Sequence, residues 1–358
     1  MKKLVALCSL LIASIIANAN FGIKRDNFFL KSHTVLFKNK LEKNKLKIFL
    51  KLDDFDAKNG NSAATPTMDY LLSKKIKAAI GFIAIRCDES ALSVYAPYLN
   101  AKNNKGEQLF EVWHHGLDHI NPEFDGKNYD YQKAHFEQAD KLMKDLFRLQ
   151  MHSFGAPFNH NDATTNTVIS ENPNYKITMF NKPAADSQSG ILNLENRVNM
   201  EIATGKPDYE AFVKNYNSKK GSYTDYMVLQ GHPKFWKAEE LNQFIKVIDF
   251  LISEGCEFDL PYNYYQSINS KTTKPKQTQK ITFDALSVKK INDLDFDPKA
   301  KASSGLKVLY NSSNSTVATI LDGKIHIVGA GTTVITTSQM GDTKFNSADY
   351  ISQTLKVD

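Results

Sequence analysis

The sequence predicts an α/β chain in which βα units build a parallel sheet and a small all-β sandwich follows. Three observations carry that reading. Between Leu46 and Val228 short apolar runs alternate with amphipathic ones, the pattern of strands joined by helices. Ser270 to Gln279 (SKTTKPKQTQ) then lacks any large apolar residue and reads as a linker. Beyond it the segments are short, alternating and separated by turn residues, as in a β-sandwich.

Taken in order, Leu46 to Leu52 (LKIFLKL) reads as a first strand and Ala78 to Ile85 (AAIGFIAI) as a second, after a helical stretch from Met68 to Lys77. Leu109 to Trp113 (LFEVW) is a third. Phe136, Ala139, Leu142, Met143, Leu146 and Leu149 recur at helical spacing and mark one buried face. A further strand falls at Tyr226 to Leu229. Leu241, Phe244, Ile245, Ile248, Leu251 and Ile252 form a second stripe that stops at Gly255. Thr164 to Ser222 is polar and irregular, and no element is assigned there. In the tail the strands are Ile281 to Phe283, Val308 to Tyr310, Val317 to Ile320, Lys324 to Val328, Thr332 to Thr337 and Ser352 to Val357. Asp322-Gly323 and Gly329-Ala330-Gly331 supply turns; a Thr-rich strand follows the latter where a phosphate loop would need a helix.

A chain of 358 residues with 42% hydrophobic and 23% charged residues can bury two cores, which excludes wholesale disorder. Its net charge of +6 falls to about +4 once a leader carrying Lys2 and Lys3 is removed. With no long basic run, this is a solvated surface, with no nucleic-acid footprint. The leader has a secretory form: Lys2 and Lys3, an apolar run from Leu4 to Ile16, then Ala17-Asn18-Ala19. Cleavage is expected after Ala19, so the protein is exported, periplasmic or secreted. The run is shorter than the roughly 20 residues that span a bilayer, and no membrane insertion is expected after cleavage. Cys8 follows Leu7, which disfavours lipidation. Cys87 and Cys256 read as free thiols, although an oxidising compartment permits a bridge. The organisation is therefore a signal segment over residues 1–19, an α/β domain over 20–268, a linker over 269–279 and a β-domain over 280–358.

Three segments carry chemistry, each at a strand end, where catalytic side chains gather in such sheets. Lys51-Leu52-Asp53-Asp54-Phe55-Asp56 offers two adjacent carboxylates, expected to point to different sides. Taken alone, the pair is equally a solvated acidic turn or a helix N-cap. Glu111-Val112-Trp113-His114-His115-Gly116-Leu117-Asp118-His119 places His115 and His119 four apart, which on a helical turn aims both imidazoles at one cation. His114 faces away from that pair and is read as structural. Two histidines and one carboxylate leave positions open for water and substrate, the make-up of a catalytic metal site. Val228-Leu229-Gln230-Gly231-His232-Pro233 presents a strand-end His suited to general acid or base work.

Asp-Asp, then His-x3-His, then a strand-end His, in this order across residues 45–265, resembles the polysaccharide deacetylase domain of carbohydrate esterase family four. The resemblance implies a (β/α) barrel-like fold. It implies Asp54, His115 and His119 as ligands of a divalent metal, commonly zinc, with Asp53 as general base and His232 as general acid. It implies an acetylated polysaccharide as substrate and hydrolysis of a carbon–nitrogen or ester bond as the reaction. Trp113, Pro157 and the Phe158 N–H are expected on the substrate and oxyanion side. Two departures stand out. The family's Arg-x-Pro segment is Gly155-Ala156-Pro157-Phe158 here, without the Arg that orients the catalytic Asp. The family's Asp and Trp between the third and fifth segments have no evident counterpart, since the tryptophans are Trp113 and Trp236. His152, His160 and Asp162 flank the third segment and are read as loop polars.

The tail, with Ser312 to Thr319 and Val328 to Ile335, resembles bacterial Ig-like domains of exported proteins, which act as spacers or adhesive modules. Two rival functions stand beside the hydrolase: a glycan-binding protein that lost turnover, and an adhesin in which the Ig-like part is the functional one.

Overall fold

A computed structural model of the chain describes residues 45–182, 190–269 and 276–358. The leader over residues 1–19, with Cys8, and most of the linker lie outside the described residues. Residues Leu46–Asp358 form one compact unit.

The first strand, β1 (Lys47–Ala57), shows why the sheet curls. Its side chains alternate: Ile48, Leu50 and Leu52 join the large outer core, whereas Phe49 joins a separate cluster with Ala79, Trp113, Ile177, Met179, Leu194 and Val228. Period two thus sends Phe49, Lys51 and Asp53 to the inner face. Strands β2 (Ala78–Cys87), β3 (Phe110–His114), β4 (Ser153–Phe154), β5 (Ile177–Met179) and β6 (Leu192–Leu194) follow in parallel register. On its other side β1 pairs in parallel with β9 (Tyr226–Gly231), and its first two residues pair with β10 (Glu257–Phe258). A parallel bridge from Arg197 to Val228 returns the far end of the sheet to β9. The inner cluster is therefore the inside of a barrel-like sheet.

Helices cover the outside. They are α1 (Thr65–Lys74), α2 (Ala91–Leu99), α3 (Tyr129–Phe147), α4 (Ala163–Ser170), α5 (Tyr209–Lys219), α6 (Ala238–Ser253) and α7 (Pro261–Asn269). Of the two sequence stripes, Phe136, Ala139 and Met143 lie on the buried face of α3, which Phe147 completes, and Phe244, Ile248 and Leu251 on that of α6, which Val247 completes, whereas Ile252 is exposed. Full burial of one such side chain contributes about 1.5–3 kcal/mol, so these stripes hold the helices to the sheet. Gly255, at φ 78, ends α6 with the Cys256 N–H returning to the Leu251 carbonyl. The stretch left without elements contains α4, β5, β6, a hairpin of β7 (Glu201–Ala203) and β8 (Lys206–Pro207), and α5. Asp162 and Asp208 cap the two helices there, so polar residues in this stretch mark helix starts.

The C-terminal part is all-β. β11 (Ile281–Thr282) pairs with β12 (Lys301–Ala302); β13 (Leu309–Ser312), β16 (Gly331–Ser338) and β17 (Ile351–Val357) form an antiparallel sheet; β14 (Ala318–Leu321) and β15 (Lys324–Ile327) form a hairpin. Asp322 and Gly323, at φ 50 and 80, make the hairpin turn. This part has its own core around Ile325, Ile335 and Leu355. It also touches the barrel: Tyr350 exchanges backbone-to-side-chain hydrogen bonds of 2.8 Å with Asn100, and its hydroxyl donates to the Phe147 carbonyl at 2.5 Å. Cys87 and Cys256 are both free thiols. No helix among the described residues is long and apolar enough to cross a membrane.

Candidate functional site

The site is built where β1, β3 and β9 end. The Asp53–Asp54 pair corrects a sequence expectation, because the two side chains do not point to opposite sides. The register between β1 and β2 shifts between Leu52 and Phe55, and Asp54 sits at φ 64. That bulge re-aims Asp54 so that both carboxylates lie beside His115. A non-glycine residue in the left-handed region costs on the order of 1 kcal/mol, and here the conformation serves to pair the two acids at one place.

His115 and His119 do come together, but not on a helical turn. β3 ends at His114, and residues 115–119 form a loop without helix. The loop turns at Gly116, φ 81, where a Cβ would lie 2.6 Å from both Glu123 Oε2 and Pro157 Cγ. His119 itself is left-handed at φ 62. Buried Glu123 fixes the loop by accepting the Leu117 N–H at 2.6 Å and the His119 N–H at 2.9 Å. The outcome is that Asp54, His115 and His119 offer ligand atoms all within 4.8 Å of one another.

These residues fit a divalent cation. His115 Nδ1 lies 2.8 Å from the Gly155 carbonyl, which fixes the proton on Nδ1 and leaves the Nε2 lone pair free. Nε2 of His115 and of His119 face Asp54 Oδ1 at 3.3 and 2.9 Å. Asp54 Oδ1 is buried without a hydrogen-bond partner, an arrangement costly unless a cation completes it. Among the described residues a second such group is Asp118, Glu123 and His135, but Glu123 is already committed to the loop.

Asp53 is held differently. Its Oδ2 accepts hydrogen bonds of 2.6 Å from Lys51 Nζ and from Gln230 Nε2, whereas its Oδ1 is buried and unpartnered. One oxygen is tied and one is free. Burial raises its carboxyl, but Lys51, His115 and His232 outweigh that and keep it ionised. His232 closes the opposite side. Glu201 on β7 takes its Nδ1 at 2.6 Å, accepts its backbone N–H at 3.0 Å and is steadied by the Trp236 indole N–H at 2.8 Å. Nε2 is left facing Asp53 Oδ2 at 4.0 Å. Burial pulls the imidazole down, and Glu201 with Asp53 more than restores it, so His232 titrates above its ordinary value.

No family model matches the chain, and no curated protein matches it. Solved structures do. The structures it resembles include members of carbohydrate esterase family 4. One is the esterase domain of a multidomain xylanase from the hindgut metagenome of Trinervitermes trinervoides, 14% identical over 65% of this chain and 96% of that one, with a TM-score of 0.45. Another is a family 4 acetyl xylan esterase from Clostridium thermocellum in complex with a cobalt ion, 13% identical over 62% of this chain and 91% of that one, TM-score 0.44. A family 4 pseudoenzyme from Bacillus anthracis is 13% identical over 62% of this chain and 66% of that one, TM-score 0.45.

The remaining expected residues divide. Trp113 is a correction: it is fully buried inside the barrel, packed where Gly81 and Gly155 leave room, and presents nothing to a substrate. Pro157 is buried against Gly116. Phe158 is 44% exposed, left-handed at φ 58, with its ring 4.4 Å from that of His119. His114 is buried, with Nε2 bonded to the Phe136 carbonyl, and burial pushes it down to about 4. His152 stacks on Tyr262, His160 bonds Asn121, and Asp162 caps α4. Sequence reasoning missed Lys51, Gln230 and Glu201. The first was signalled by a Lys inside an apolar strand two residues before Asp53, on the same face. For Glu201 no spacing rule pointed to His232.

Proposed function

We propose that the chain is an exported, zinc-dependent hydrolase that removes acetyl groups from an N- or O-acetylated extracellular or envelope polysaccharide, with residues 20–268 as catalytic domain and 280–358 as an Ig-like domain. The observation that carries this reading is the meeting of two unlike carboxylates. Asp54 faces two imidazoles, and Asp53, whose Oδ2 lies 3.7 Å from His115 Nε2, keeps Oδ1 without a partner. Asp54 Oδ1 and Nε2 of His115 and His119 would hold the ion. The chemistry it would supply there is Lewis acidity toward an acyl oxygen and toward water.

The chain's own groups do the rest. Asp53 Oδ1 takes a proton from water as the oxygen attacks the acetyl carbonyl. The Phe158 N–H is the donor offered to the developing oxyanion. His232, its Nδ1 proton held by Glu201, donates from Nε2 to the leaving amine or alcohol as the carbon–nitrogen or carbon–oxygen bond breaks. Acetate and the free sugar group result.

Acetate release from acetylated chitooligosaccharides and acetylated xylan, run with and without chelator, tests this. Release that chelator abolishes and zinc restores is the expected outcome. Bound metal without release from any substrate supports a glycan-binding protein without turnover. Neither metal nor release leaves the C-terminal domain as the functional part.

A further inference from the structure

A general base works only if its carboxylate is aimed, and Asp53 needs a partner that holds it. Among the described residues one Lys or Arg lies within ion-pair distance of it. Lys51 is 0% exposed, on the inner face of β1, with Nζ 2.6 Å from Asp53 Oδ2. The same ammonium lies 4.5 Å from the centroid of Trp113 and 5.6 Å from that of Phe180, aromatic faces that suit a desolvated cation. Its Cε fills space next to position 155. A Cβ built on Gly155 would lie 3.1 Å from Lys51 Cε and 2.9 Å from Trp113.

We infer that Lys51 is the positioning residue of Asp53, supplying from β1 the cation that the Gly155-Ala156-Pro157 segment lacks, an inference that rests on reading Asp53 as the base. Three features require it. Lys51 and Asp53 are two apart on one strand, so the pleat sets their side chains side by side without help from any loop. With Gln230, Lys51 occupies Oδ2, the oxygen that also faces His115 Nε2 at 3.7 Å, and leaves Oδ1 without a partner. Each charge is buried with the other as its close partner, so removing either strands a charge in the core. The room for a cationic side chain at position 155 is already taken by Lys51 and Trp113, and Gly155 follows from that.

A double-mutant cycle of Lys51→Met and Asp53→Asn tests the inference on the zinc-supplied full chain, read by thermal unfolding with zinc content measured for each variant. Lys51→Met alone should lower Tm by on the order of 10 °C. In the Asp53→Asn background the same change should cost less than about a third of that. Additive losses would overturn the pairing. If Lys51→Met does not fold, a folded double variant supports the coupling and failure of both overturns it. Below the lowest transition, 4-nitrophenyl acetate is the kinetic probe. Lys51→Met should lose roughly 10²-fold in kcat, with KM within about threefold of the parent and zinc content unchanged. An unchanged kcat would reduce Lys51 to packing. A parent that releases no acetate would overturn the hydrolase reading alone, because the thermal cycle still decides the coupling.

Discussion

At the scale of single residues, His232 illustrates how little of a catalytic group is the group itself. Its ring could rotate or change tautomer, but one carboxylate holds both its Nδ1 and its backbone N–H. Removing the acid and removing its holder should therefore differ in size. His232→Ala is expected to keep zinc and to lose roughly 10²-fold in turnover, since it acts on the leaving group and not on the ion. Glu201→Gln keeps the shape and weakens the charge-assisted bond, and a smaller loss of roughly tenfold follows. Turnover and zinc content of both variants check this; a Glu201→Gln enzyme as fast as the parent would show that His232 is oriented by something else.

Elements are tied together by buried polar groups as well as by apolar stripes, and Glu111 is the case with a pH signature. It sits on β3, accepts the Ser153 hydroxyl of β4 at 2.5 Å, and accepts the Tyr262 N–H at the start of α7 at 2.9 Å. Burial raises its carboxyl to about 7 from an ordinary 4.5, against the two hydrogen bonds. The unfolded chain therefore releases this proton first. Stability is fully present below the unfolded value, falls as pH rises from about 4.5 to about 7, and is flat above, a loss of about 3 kcal/mol at most. Glu111→Gln should flatten that slope, measured by chemical denaturation between about pH 5 and about pH 8; an unaltered slope would place the titration elsewhere. The helices of this protein were legible because their apolar residues recur, as in α3 and α6. The site was legible in part for a different reason. Asp53, Asp54, His115, His119 and His232 are residue types with few other reasons to sit at strand ends. Their geometry was not legible, because the bulge at Asp54 and the loop at Gly116 are backbone events that side-chain periodicity does not encode. Trp113 was misread because an aromatic beside a histidine looks the same in sequence whether it lines a cleft or fills a barrel.

On the scale of the whole molecule, the polar linker suggests two independent bodies, and each part does have its own core. The contact at Tyr350 is what the linker does not reveal. Its hydroxyl satisfies the Phe147 carbonyl at the end of α3, and its backbone is bonded to Asn100 just after α2. Lys102 and Asp349 add an exposed ion pair, which contributes little. Tyr350→Phe should cost about 1–2 kcal/mol, because it leaves a buried carbonyl unpaired. Denaturant midpoints of Tyr350→Phe and of a chain ending at residue 269 check the coupling. If neither differs from the parent in the transition of the barrel, the two parts are energetically separate.

The central claim is that Asp54, His115 and His119 hold one divalent ion while Asp53 and His232 do not, and elemental analysis of purified variants tests it most directly. The parent should carry about one zinc per chain. The His115→Ala/His119→Ala double variant and Asp54→Ala should carry little, and Asp53→Asn and His232→Ala should stay loaded. A double variant as metal-rich as the parent, or an Asp53→Asn protein that is empty beside a loaded Asp54→Ala, would contradict the assignment.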